Sequence, residues 1–319
     1  MDLVFFGSGA FGLPTLRALA REHRLVGVVT QPDRPAGRGG SLTPTPIGEW
    51  AAANLPGVPL FKPNDVNEPD VLAQVRALPA RAWVVIAFGQ KLSPGLLVDR
   101  FAVNLHASLL PRWRGAAPIN RAMLAGDPES GNSVITLAQK MDAGLVLGQS
   151  RRPIEPTQTA GELHDALASD GPPLVLDVLA LHAAGTLRGH EQDERHVTLA
   201  RKLGKQDGVL DFAWSADEIR RRVHGLNPWP GVTVSFRGQP LKLLRGATSG
   251  SHPPAPVSQQ PGGTILDAAR GLVACGGGTT LEVMEVQPAG KRSMAWADFA
   301  RGARVAAGEA LLGGTPPGG

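Results

Sequence analysis

The chain has 319 residues, 42% of them apolar and 19% charged, with 40 Gly and 28 Pro, a composition that supports a buried core and excludes general disorder. At about 100 to 200 residues per domain, this length points to two domains. No stretch approaches the roughly 18 apolar residues of a membrane helix, and Met1-Asp2-Leu3-Val4-Phe5-Phe6 meets Gly7 too soon for a signal peptide. The single Cys275 excludes an intrachain disulfide framework and a Cys-rich zinc site. The expectation is a cytoplasmic protein with no membrane partner and no metal.

Leu3–Phe6 reads as a short buried strand, Pro14–Arg21 as a helix, and Leu25–Val29, Trp83–Phe88 and Ala102–Leu105 as further strands. Strands separated by helices imply a parallel, Rossmann-like α/β sheet. Gly7-Ser8-Gly9-Ala10-Phe11-Gly12 lies between a strand and a helix, and Asp33 follows about twenty residues later, so Gly7, Gly9, Gly12 and Asp33 nominally fit the dinucleotide fingerprint. Thr30-Gln31-Pro32 separate Asp33 from the strand end where an acid would meet a ribose, which favours an ordinary tight turn over a nicotinamide enzyme. The segment between Gln31 and Pro46 is too rich in Pro and Gly for regular structure, and such loops tend to be functional or mobile.

Asn104 and His106 share one face at the end of a strand, with Ser108-Leu109-Leu110-Pro111 directly after. A donor amide beside a protonatable imidazole, at the carboxyl end of a parallel strand, suits the stabilisation of an oxyanion. A buried structural histidine is the alternative. Pro111 suggests a tight turn at which a cis bond is accessible. Asp142 falls in Met141-Asp142-Ala143-Gly144, between the strand-like runs Ser133–Leu137 and Leu145–Leu147. It is a turn residue unless the loop folds back toward His106, where a carboxylate would favour the charged imidazole and orient water.

Thr159-Ala160-Gly161-Glu162 forms a capping box opening a helical segment that runs to about Ala184, and Gly171-Pro172-Pro173 is expected to break it into two helices. Gly189 to Asp207 is polar and reads as a linker. Ser215-Ala216-Asp217-Glu218 is a second capping box, and after Asn227-Pro228-Trp229-Pro230-Gly231 the period becomes two, with Val232, Val234 and Phe236 alternating with polar residues. Leu241–Leu244, Thr264–Leu266, Leu272–Cys275 and Thr280–Val286 complete a small antiparallel barrel or sandwich. Ser249–Gly263 reads as a loop and Gly313–Gly319 as a frayed tail.

The net charge is +4, divided as −1 over residues 1–200 and +5 over 201–319. A locally basic surface is a common footprint of a polyanion, though an excess of this size also fits a solvated face. Gly-x-Ser-x-Gly, a phosphate loop ending in Lys-Ser/Thr and His-Glu-x-x-His are all absent, which removes hydrolase, nucleoside-triphosphatase and zinc-protease classes. Cys275, among apolar residues and glycines, receives no role.

Five motifs occur in order: Thr30–Gly39, Asn104–Ile119, Met141-Asp142-Ala143-Gly144, Asn227-Pro228-Trp229-Pro230, and Gln287-Pro288-Ala289-Gly290-Lys291. With them the chain resembles the methionyl-tRNA formyltransferase family along nearly its whole length. The Asn-x-His-x-Ser-Leu-Leu-Pro core is shared by folate-dependent formyltransferases in general, so it specifies the chemistry, and the acceptor rests on the arginine loop and the basic C-terminal domain. The resemblance implies a catalytic domain over 1–188, a linker over 189–206 and a C-terminal OB-like β-barrel, tRNA-binding, over 207–319. It implies 10-formyltetrahydrofolate as donor, methionyl initiator tRNA as acceptor, and a monomer.

By the same resemblance, Asn104 and protonated His106 hold the oxyanion and Asp142 keeps the imidazole charged. Ser108, Leu109, Leu110 and Pro111 contact the folate, with backbone around Phe88 and Gly89 near the pterin, and Arg38 grips the acceptor arm. Lys202, Lys205, Arg220, Arg221, Lys291 and Arg292 are the expected phosphate contacts, chosen from charge and placement. The chain departs from the family at Leu145-Val146-Leu147-Gly148-Gln149, which lacks two acids common there, and at Gly40-Ser41, where lysines often follow the arginine. Formyl transfer to a sugar nucleotide or small amine is the runner-up, a nicotinamide dehydrogenase and a non-catalytic RNA-binding module the rivals of other classes.

Overall fold

The computed structural model describes residues 1–36, 40–248 and 260–314. The chain divides into two compact units, one of Met1–Gly115, Ser130–Arg152 and His164–Leu199, the other of Ala116–Glu129, Pro153–Leu163 and Ala200–Gly319. A single boundary near residue 188 therefore does not describe the division. The early segments 116–129 and 153–163 group with the C-terminal residues for local reasons. Asn120 Nδ2 donates to the Gly225 carbonyl at 2.7 Å and Arg121 pairs with Asp207 at 3.1 Å. Gly161 N–H donates to the Asn227 carbonyl at 3.0 Å, and Arg245 pairs with Glu162 at 2.7 Å.

The first unit is built on seven strands: β1 (Asp2–Gly7), β2 (Arg24–Val29), β3 (Leu60–Phe61), β4 (Ala82–Ile86), β5 (Ala102–His106), β6 (Glu129–Thr136) and β7 (Val146–Pro153). Their order is β7-β6-β5-β4-β1-β2-β3. Pairings from β3 through β5 are parallel and β5 with β6 is antiparallel. Every residue of β4 is buried, as expected for a central parallel strand covered on both faces. Phe6, Trp83, Val85 and Phe88 form part of the core on one face.

Two expectations fail here. Arg34–Ala36 and Ser41–Thr43 pair as a short antiparallel ribbon, although the segment is Pro- and Gly-rich. A two-stranded ribbon leaves one edge of each strand free, and Pro35, which lacks an N–H, can face that edge. Ala160–Ala183 is one helix with Pro172 and Pro173 inside it. The Thr159 capping box forms as expected. Leu163, Leu167, Val175, Val178 and Leu179 are buried on both sides of the prolines. Next to the proline turn, the Leu167 carbonyl accepts from Asn132 Nδ2 of β6 at 2.8 Å. Burial on both sides of the prolines outweighs the breaker signal.

The second unit carries β8 (Val232–Phe236), β9 (Gln239–Thr248), β10 (Ile265–Asp267), β11 (Leu272–Ala274), β12 (Thr280–Pro288), β13 (Met294–Ala295) and β14 (Leu311–Gly313). The order is β10-β11-β12-β9-β8-β14, with β13 on β12, and every pairing described is antiparallel. A bridge between Thr264 and Ala310 joins the two ends, so the sheet curls back on itself and its edges are used up. Of the barrel and the sandwich that the period-two pattern leaves open, this is the barrel, as the resemblance implies. The helix Ala216–Gly225 is opened by the Ser215/Glu218 capping box and packs Ile219 and Val223 into the barrel core. Of the expected loop over 249–263 and tail over 313–319, residues 249–259 and 315–319 lie outside the described residues.

Candidate active site

The register Val85–Asn104 between β4 and β5 sets Asn104 and His106 at the carboxyl end of the parallel sheet, where such folds bind ligands. His106 is 7% exposed, and its Nε2 lies 2.8 Å from the Trp113 carbonyl oxygen. A carbonyl only accepts, so Nε2 carries the proton. That leaves Nδ1 facing Asp142 Oδ2 at 3.8 Å, beyond hydrogen-bond length and within ion-pair range. The Met141–Gly144 loop does fold back to the histidine.

Gly144 explains how. A Cβ on it would sit 1.7 Å from the Thr136 carbonyl oxygen, so only glycine lets the chain turn this close to the end of β6. Thr136 N–H donates to the Leu145 carbonyl at 3.0 Å, and Leu145 N–H to Thr136 Oγ1 at 2.9 Å, which closes the loop. Asp142 has φ of 52°, in the left-handed region that a short polar residue tolerates better than most. Its Oδ2 accepts from the Gly115 N–H at 2.9 Å. One carboxylate oxygen thus faces both a fixed backbone donor and the imidazole.

The turn after β5 is built from the inside. Leu110–Pro111 is cis. Ser108 Oγ donates to the Arg112 carbonyl at 2.7 Å, and Ser133 Oγ donates to the Ser108 carbonyl at 2.7 Å while accepting from Leu110 N–H at 3.0 Å. Gln149 Nε2 donates to the Leu110 carbonyl at 2.9 Å and to Ser133 Oγ at 2.8 Å. Ser108 and Leu110 are buried, whereas Leu109 and Pro111 are partly exposed. Of the four residues expected to contact folate, the first pair shapes the turn and the second pair presents its surface. Gln149, in the stretch where acids are missing, ties that turn to β7.

Phe88 packs edge-on against Phe6, with ring centroids 5.6 Å apart, so its side chain belongs to the core. Its carbonyl accepts from Ser8 Oγ at 2.9 Å and Gln31 Nε2 at 3.3 Å. Gly89 has φ of 87°. The Gly7 turn is a packing feature, since a Cβ there would lie 2.6 Å from the Phe5 ring and 2.9 Å from the Ile86 carbonyl. Asp33 accepts from Lys62 Nζ at 2.7 and 2.9 Å, which gives the acid of the nominal dinucleotide fingerprint a structural partner.

Among the expected tRNA contacts, Arg38 lies outside the described residues. Lys202, Lys205, Lys291 and Arg292 are exposed, and none makes an ion pair among the described residues. Arg220 and Arg221 both pair with Asp217 at 2.7 Å, and they donate to the carbonyls of Pro156 at 2.8 Å and Ala125 at 2.9 Å. Burial opposes the charge on Asp217, but the two arginines hold its carboxyl below the ordinary range. Charge counting treated these arginines as surface, whereas their side chains are committed inside the second unit. Cys275 is buried, and burial pushes its thiol up to about 12, so it stays protonated.

Sequence reasoning missed four residues around Asp142. Trp113 supplies the carbonyl that holds His106, and Gly115 the N–H that holds Asp142. Arg114, 3% exposed, donates from Nε to Gln192 Oε1 at 2.9 Å and from Nη2 to Glu194 at 2.8 Å. Gln192 in turn donates to the carbonyls of Asp142 and Gly144 at 2.7 and 2.8 Å. Arg114 and then Lys140 hold the Glu194 carboxyl below its ordinary value. The polar segment expected to be a linker therefore carries structure. The only sequence signal was that Arg114 stands in the Asn104–Ile119 motif.

Two family models match, a formyl transferase domain over residues 1–179 and a formyl transferase C-terminal domain over 202–304. The methionyl-tRNA formyltransferase of Methylococcus capsulatus is 42% identical over 94% of this chain and 96% of its own. That of Symbiobacterium thermophilum is 41% identical over 97% and 94%. The chain belongs to the methionyl-tRNA formyltransferase family. Solved sugar formyltransferases share the fold at much lower identity. A sugar 3N-formyl transferase superposes with a TM-score of 0.67 at 12% identity, covering 92% of this chain and 99% of that one. An N-formyltransferase from Helicobacter canadensis gives 0.66 at 14%, covering 90% and 98%. The nicotinamide dehydrogenase reading has no support in this family, and no helix among the described residues is long and apolar enough to cross a membrane.

Proposed function

We propose that this chain transfers the formyl group of 10-formyltetrahydrofolate to the α-amine of methionyl initiator tRNA, giving N-formylmethionyl-tRNA. The observation that carries the reading is the convergence of His106 and Asp142 beside Asn104 at the carboxyl end of the sheet, in a chain about 40% identical to methionyl-tRNA formyltransferases over nearly its full length. The amine nitrogen bonds to the formyl carbon and the bond from that carbon to the folate nitrogen breaks. The amine gives up one proton and the departing nitrogen takes one. Asn104 and the Nδ1–H of the charged His106 ring, which no group among the described residues hydrogen-bonds, are the donors for the oxyanion that develops between these events. Asp142, with Oδ2 3.8 Å from Nδ1, favours the charged ring as an ion-pair partner and assists the proton transfer. Leu109, Pro111 and the backbone at Phe88 and Gly89 line the folate side.

Exposed Lys202, Lys205, Lys291 and Arg292, with Arg38, are the proposed phosphate contacts, and the enzyme acts as a monomer in the cytoplasm, where its acceptor is made. The test is transfer of labelled formyl to methionylated initiator tRNA, beside uncharged tRNA and free methionine, at two salt concentrations. Transfer to the charged tRNA alone, falling steeply with salt, is the expected result, because phosphate neutralisation releases counterions. Salt-insensitive transfer to a sugar nucleotide or small amine instead overturns the acceptor and keeps the chemistry.

A further inference from the structure

We propose that Gln192 is a positioning residue for Asp142, with the buried Arg114 guanidinium as the group that fixes its direction. The inference rests on the reading that Asp142 serves His106 during formyl transfer. Both protons of the Gln192 amide are used on the catalytic loop, at the carbonyls of Asp142 (2.7 Å) and Gly144 (2.8 Å). Its oxygen accepts from Arg114 Nε at 2.9 Å. Arginine has donors only, so the amide oxygen must face it and the NH2 must face the loop; a flipped amide would set donors against donors and acceptor against acceptors.

The arrangement has a reason to exist. Asp142 sits at φ of 52°, a backbone state that still costs a non-glycine residue free energy, although Asp less than most, and that contacts from its surroundings offset. The carboxylate is held by Gly115 N–H at one end and the backbone by Gln192 at the other. Lys140, two residues before Asp142, pairs with Glu194 at 2.7 Å, and Glu194 also pairs with Arg114. His106 is held by Trp113. The tripeptide Trp113-Arg114-Gly115 therefore fixes imidazole, carboxylate and loop from three adjacent positions. Arg114 is itself an expensive occupant, since its Nη1 is buried with no hydrogen-bond partner among the described residues. An apolar side chain would serve packing better, so what the guanidinium contributes is orientation.

The experiment is single-turnover formyl transfer and steady-state kinetics on Gln192→Ala, Gln192→Glu, Arg114→Met and the double variant Q192A/R114M, with Asp142→Ala as reference. Gln192→Glu keeps the acceptor toward Arg114 and loses both donors toward the loop. The expected result is a kcat lowered by about 10- to 100-fold in Q192A and Q192E, the cost of displacing a catalytic group by about an ångström. KM for folate and for tRNA stays within about twofold of wild type, because neither substrate is touched. R114M loses turnover alone and costs little more in the Q192A background, since the two residues act in series. The 15N shift of His106 Nδ1 moves in Q192A, which a purely structural role would not cause. Wild-type kcat in a folded Q192E, with D142A inactive, overturns the inference and leaves the functional reading standing. Wild-type turnover in D142A overturns the reading itself.

Discussion

The carboxyl end of the parallel sheet and the closed barrel of the second unit each bury a histidine, and they treat it in opposite ways. His106, 7% exposed, has Nε2 bonded to a carbonyl and Nδ1 facing a carboxylate. His224, 1% exposed, accepts from the Gly246 N–H at 3.1 Å and leaves Nδ1 with no hydrogen-bond partner. Burial first, then the charges of Arg220 and Arg245, lower its pKa to about 4. The first environment supplies partners for a charged ring and the second excludes the charge. A buried histidine on its own is therefore uninformative, and the groups facing its two nitrogens decide what it can do.

The largest effect should come from removing the site side of this contrast. Asn104→Ala should lower kcat for formyl transfer by about 100-fold or more, the scale of one lost oxyanion donor, and Asp142→Ala by about 100-fold or more, the scale of lost acid–base assistance, with thermal midpoints within a few degrees of wild type. Retained turnover in either folded variant would sink the assignment. On the barrel side, Gly263 has φ of 90°, and a Cβ there would sit 2.1 Å from the Leu311 carbonyl oxygen where the sheet closes. Gly263→Ala should destabilise the chain by about 3 kcal/mol or more, read as a drop in denaturant midpoint; an unchanged midpoint means that the closure is dispensable.

A smaller effect sharpens the comparison by pH. His224 is neutral when folded and takes up a proton near pH 6.5 when unfolded, so its contribution is complete above 6.5 and is lost as pH falls toward 4, by about 3 kcal/mol at most. Gln in its place can still accept from Gly246, and His224→Gln should flatten the stability curve in that window. Glu162, held at about 2 first by Arg245, loses its contribution only below its ordinary 4.5, so the two groups separate along one titration. An unchanged curve in the Gln variant would falsify the His224 assignment. The smallest effects belong to the surface. Single replacements of Lys202, Lys205, Lys291 or Arg292 by Gln should raise KM for tRNA a few-fold and reduce its salt slope by about 1 each. Arg220→Gln should leave that slope unchanged, because its guanidinium is already spent on Asp217 and Pro156.

Much of the fold is legible in local pattern. Period-two alternation of Val232, Val234 and Phe236 appears as an alternately buried strand, both capping boxes form, and Asn104 and His106 fall on one strand as their spacing requires. Pro172 and Pro173 misled because the breaker rule describes an isolated helix, while this one is held by burial on both sides. Arg220 and Arg221 counted as surface charge because a charge count cannot tell a solvated guanidinium from one already paired.

By itself the sequence determined the two architectures, the strand end that carries Asn104 and His106, and the family, because periodicity, caps and contiguous motifs are properties of neighbours along the chain. It could not say that Asp142 returns to His106, that Gly144 permits the return, or that Gln192 and Arg114 hold it there. Those residues lie between 8 and 86 positions from His106, and what joins them is a set of hydrogen bonds between carbonyls, amides and a guanidinium. Such groups look alike in every sequence until the folded chain brings a donor to an acceptor, so only the tertiary structure decided which of them serve the site.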